Sequence, residues 1–121
     1  MQSSRFPLDI LPPPWYNKHM KLLTNDIKRS LPALYSTEST EAENKTIIAK
    51  FFDPLGSWRW DVVEGEEQED GDWVFFGLVD GSVKEWGYFT LSELESLDVG
   101  LGLGIERDIH FPKQNARHFT A

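Results

Sequence analysis

Short runs of β-branched and aromatic residues, each closed by a turn signal, constrain this chain most. They point to a largely antiparallel sheet. TIIAKFF (residues 46–52) stops at the turn former Asp53-Pro54-Leu55-Gly56. SWRWDVV (57–63) alternates, placing Trp58, Trp60 and Val62 on one face and Arg59 and Asp61 on the other. DWVFFGLV (72–79) is apolar on both faces, which predicts a strand at the centre of the sheet. Asp80-Gly81 then turns the chain into a further strand near residues 83–89.

Two short helices flank these runs. Thr24 is placed to cap the first, with Asp26 in its opening turn and Ile27 and Leu31 on one face. Pro32 disfavours helical geometry at Leu31 and ends it. In TLSELESL, Thr90 and Glu93 have the spacing of a capping box, and Phe89 with Leu94 the spacing of a hydrophobic staple. Leu91, Leu94 and Leu97 form its apolar side, and the helix ends before Gly100. The expectation is one α+β domain over residues 20–112, with four or five strands and two short helices. Residues 1–19 read as a Pro-rich arm carrying Pro12, Pro13 and Pro14, and residues 113–121 as a C-terminal tail.

A chain of 121 residues suits one core. It has no cysteine, which excludes disulfides, thiolate metal sites and thiol nucleophiles and fits a reducing cytoplasm. No apolar run is long enough to span a membrane, and the N-terminus lacks the pattern of a signal peptide. The net charge of −8 is local: residues 38–72 hold 11 of the 20 acidic residues and 3 of the 12 basic ones, and the remainder is neutral. Such a balance disfavours duplex nucleic acid as a direct partner.

Candidate chemistry is sparse, and no catalytic residue, metal or cofactor is assigned. GLGLG (100–104) follows a helix and precedes a strand, the reverse of a phosphate-binding loop. In ERDIH, strand alternation would put Glu106, Asp108 and His110 on one face. That set suits either a divalent metal or a polar outer face, and Arg107 opposite them calls for a salt bridge. Between residues 64 and 72, Glu64, Glu66, Glu67, Glu69, Asp70 and Asp72 read as a solvated hairpin loop or as an acidic patch facing a basic protein partner.

The segments MKLLT, LPALYSTE, KFFDP, FFGLVDG, GYFTLSELES and LGLGIERDIHF together resemble a bacterial family catalogued as domain of unknown function 2958. That resemblance implies a short protein carried on plasmids, integrated elements and phages, similar to modules of multi-domain counter-defence proteins. It supplies no catalytic residues. Two functions of different class are therefore expected: a non-enzymatic acidic module that binds a protein with a basic surface, or a small metal-assisted hydrolase centred on Glu106, Asp108 and His110.

Overall fold

The structure, a computed structural model, describes residues 21–111 and 114–115. The arm expected at residues 1–19 lies outside them. The elements in chain order are helix α1 (Asn25–Ser30), strands β1 (Thr46–Ile47), β2 (Ala49–Phe52), β3 (Arg59–Glu67), β4 (Trp73–Asp80) and β5 (Lys84–Thr90), helix α2 (Leu91–Ser96), and strands β6 (Glu106–Arg107) and β7 (Gln114–Asn115). Five strands form an antiparallel sheet in the order β5-β4-β3-β2-β6, and β1 pairs with β7. This is the expected α+β fold.

Local chemistry sets the element ends as the sequence predicts. Thr24 Oγ1 accepts from the Ile27 amide at 3.2 Å, and the chain leaves helical geometry at Leu31. Thr90 accepts from the Glu93 amide at 3.1 Å, while Glu93 Oε1 accepts from the Thr90 amide at 2.8 Å, completing the capping box. Leu97 departs from expectation: it terminates α2 in extended conformation and is exposed. GLGLG is a tight turn in which Leu101 and Gly102 take φ of 55° and 75° and the Leu103 amide bonds the Gly100 carbonyl.

Three assignments change. TIIAKFF is split at Ile48, because Thr46 and Ile47 pair with β7 while residues 49–52 pair with β3. The tail expected from residue 113 therefore supplies a strand to the fold. Finally, β3 occupies the middle of the sheet and β4 lies beside it. The two-sided apolar pattern of β4 arises because both faces of the sheet are covered in part.

On the inner face Phe51, Phe75 and Phe89 form a row across the sheet, with centroids 5.9 and 5.7 Å apart. Leu22, Leu23 and Leu94 close over this row, joined by Trp60, Val62 and Ile105. The outer face carries a smaller cluster of Ile47 and Val63 with Phe76, Trp86 and Phe111 packed against it. Among the described residues no helix is long and apolar enough to cross a membrane.

Candidate functional site

A β-bulge organises the outer face. The β3–β4 register shifts between Val62 and Glu64, so Val62 pairs with Gly77 and Glu64 with Phe76. Val63 is absorbed into the bulge and both valines are buried. The shift turns Glu64 onto the outer face, in one row with Phe76 and Tyr88.

Glu64 is consequently not part of an exposed acidic loop. β3 runs on to Glu67, and Glu64 is only 2% exposed. Its carboxylate accepts from the amides of Tyr35 (2.8 Å) and Thr37 (3.1 Å) and from the Thr37 hydroxyl. That hydroxyl in turn accepts from Lys45 Nζ at 2.8 Å, and the ammonium also donates to the Thr37 carbonyl. A buried cation and a buried anion thus meet through one threonine, which answers the desolvation each suffers. The polar stretch after α1 is held against the sheet by this network.

Asp72 is likewise structural. It accepts from the Ser92 hydroxyl (2.6 Å), the Ser92 amide (3.1 Å) and the Trp73 amide (2.8 Å), tying the β3–β4 hairpin to the start of α2. The Ser92 hydroxyl chiefly, and then the two amides, hold its carboxyl below the usual range. The Asp70 carboxylate accepts from the Asp72 amide within the turn. Of the six candidates, Glu66, Glu67, Glu69 and Asp70 are exposed at the hairpin tip. Glu66 accepts from the Leu34 amide at 3.3 Å, which brings the acidic stretch around Glu38 beside the hairpin.

The ERDIH set does not assemble. β6 ends at Arg107, so strand alternation stops before Asp108. Glu106 is buried at 3% exposure, whereas His110 is exposed in a turn whose amide donates to the Asp108 carboxylate. Among the described residues no three His, Asp or Glu side chains converge as metal ligands. Arg107 Nε donates to the Lys21 carbonyl at 3.1 Å, anchoring the segment before α1 to the sheet edge.

Two further carboxylates stand out by burial. Asp61 Oδ1 and Glu106 Oε2 are enclosed, and among the described residues nothing donates to them. Burial pushes the Asp61 carboxyl up to about 6 against the pull of Lys50 and Arg59, and burial also raises Glu106.

The aromatic residues beside Glu64 were not singled out by the sequence. Phe76 stacks on Trp86 at 5.6 Å and meets Tyr88 at 4.9 Å, and Tyr35 lies 6.0 Å from Tyr88. Tyr35 and Tyr88 are 58% and 53% exposed. They border a cavity of about 340 Å³ lined also by Glu38, Lys45, Glu64 and Phe76. The alternation of β5, which puts Trp86 and Tyr88 opposite Phe89, was the available signal.

The family model described as "Protein of unknown function (DUF2958)" matches residues 22–118, and the chain belongs to that family. No curated protein and no solved structure matches the chain.

Proposed function

We propose that this member of the DUF2958 family is a non-enzymatic protein-binding module whose docking surface is the outer sheet face at its acidic end, and whose partner presents a basic surface. One observation carries the reading. The fold brings Glu38 and Glu66 from two separate segments beside the half-exposed Tyr35–Tyr88 pair, with Glu69 and Asp70 following at the hairpin tip, while strand alternation puts Glu67 on the other face. Exposed tyrosines supply contact area at small entropic cost, and surrounding carboxylates steer a basic partner toward them. Two members of the acidic run, the buried Glu64 and the hydrogen-bonded Asp72, support the surface through their backbone and Ser92 contacts.

The test neutralises the tip with Glu66→Gln, Glu67→Gln, Glu69→Gln and Asp70→Asn. Glutamine at 66 and asparagine at 70 still accept the local amide bonds, so stability stays within roughly 0.5 kcal/mol. Partners captured by the wild type are identified and purified, and their association kinetics are measured. The on-rate is expected to fall about tenfold in the variant, and wild-type binding to weaken with added salt. Equal on-rates for the two proteins overturn the proposal.

A further inference from the structure

We propose that the cavity between Tyr35, Phe76 and Tyr88 receives the guanidinium of an arginine side chain presented by the basic partner, with Glu38 as its counter-ion. The inference rests on the docking reading above and names the anchor within it.

The cavity has aromatic walls on more than one side. Phe76 and Tyr88 rings are inclined at 48°, and Tyr35 and Tyr88 at 50°, so the three rings that line the space are not coplanar, while Phe76 also stacks on Trp86. A cation held against such faces is attracted by their quadrupoles, and a planar guanidinium additionally stacks. Formal charge agrees, since two carboxylates and one ammonium line the space. Glu64 and Lys45 are both committed, through Thr37 and backbone groups. Glu38 is exposed, and among the described residues nothing donates to its carboxylate. The negative field reaches Tyr88, whose hydroxyl is held above its usual value, first by desolvation, then by its hydrogen bond with Tyr35, with Glu64 and Glu38 adding to it. A volume of about 340 Å³ lies at the small end of ligand sites, which suits a single long side chain.

Tyr35 supplies an independent observation. It adopts φ of 69°, the left-handed region, which disfavours a residue with a Cβ. Its amide bond to Glu64 is one that any residue but proline makes, and its side chain adds a contact with the equally exposed Tyr88. Backbone strain of this kind clusters at active sites and ligand clamps.

The experiment titrates the full chain with N-acetyl-arginine amide, N-acetyl-lysine amide and N-acetyl-norleucine amide, following aromatic ring resonances by NMR. The arginine probe is expected to shift Tyr35 and Tyr88 saturably at millimolar concentration, the lysine probe to bind about threefold more weakly and the norleucine probe not to bind. Glu38→Gln should weaken the arginine probe about fivefold, as for one exposed ion pair. Tyr35→Gly should abolish the response while leaving Tm unchanged or higher. A norleucine response equal to the arginine response, or a Tm lowered by Tyr35→Gly, overturns the assignment. If Tyr35→Gly leaves association with the purified partner intact while the neutralised hairpin abolishes it, the cage falls and the docking reading stands. If the arginine probe binds while the neutralised hairpin associates normally, the docking reading falls and the cage stands.

Discussion

Asp61→Asn is expected to stabilise the protein at neutral pH, although it removes a charge flanked by cations. Asp61 is 2% exposed on β3, directly across from Lys50 on β2 and Leu78 on β4. Its field comes from Lys50, Arg59 on its own strand, Asp80 on β4 and Lys84 on β5. Burial outweighs the cations and lifts the carboxyl from 3.8 to about 6. Between those two values the folded protein holds a proton that the unfolded chain has released. Folding stability from this group therefore falls as pH rises from about 4 to about 6, and the full penalty persists above that. At about 1.4 kcal/mol per pH unit the ionisation costs roughly 3 kcal/mol at neutral pH. The asparagine amide brings its own unpartnered N–H, costing about 1 kcal/mol, so the net gain is about 2 kcal/mol.

Urea unfolding of both proteins at pH 7.5 and pH 4.0 isolates the effect, because the other carboxylates cancel in the difference. The variant should be more stable at pH 7.5, and the advantage should disappear at pH 4.0. A variant that is less stable at pH 7.5 would show that Lys50 satisfies the charged form and that burial does not dominate. A pH-independent difference would refute the linkage itself.

Other perturbations follow from single contacts. Gly77→Ala should destabilise the fold by about 3 kcal/mol in urea melts, since a Cβ there would meet the Asp61 carbonyl oxygen at 2.0 Å. Glu64→Ala should cost about 3 kcal/mol, because it strips three donors at once and leaves Lys45 uncompensated, whereas Glu67→Ala should stay within about 0.5 kcal/mol. Thr90→Ala should cost about 1 kcal/mol at unchanged denaturant slope, the worth of an N-cap. A chelator should leave Tm unchanged, because Glu106, Asp108 and His110 do not converge.

What the sequence disclosed is what depends on near neighbours. Thr24, Pro32, Thr90 and Asp80-Gly81 act through residues within four positions, and each does what its spacing predicts. The β3 bulge depends on which residue of β4 lies opposite, and Val62-Val63-Glu64 carries no local mark of it. Missing it assigns Glu64 to the loop. The six carboxylates from residue 64 to 72 look alike in sequence, yet Glu64 and Asp72 are claimed by amides 27 to 29 and 20 positions away. ERDIH departs from its expected alternation for a related reason: strand alternation holds only while a partner strand continues, and β6 pairs with β2 over two residues.

The balance at Tyr35 links the fold to the proposed binding. A left-handed residue bearing a Cβ costs about 1 kcal/mol relative to glycine. The ring's contact with Tyr88, together with the solvent-exposed hydrogen bond between them, returns about 1 kcal/mol, since both rings are half exposed. Stability therefore does not favour tyrosine over glycine at this position. The Glu64 network fixes the backbone of the loop regardless of which side chain residue 35 carries. An aromatic ring placed on that rigid support, with the Glu38 carboxylate lining the same cavity, is exposed and not packed in the core, as the proposed binding requires. The same division appears across the acidic run, where Glu64 and Asp72 are tied into the fold and the exposed carboxylates are the ones the proposed binding would use.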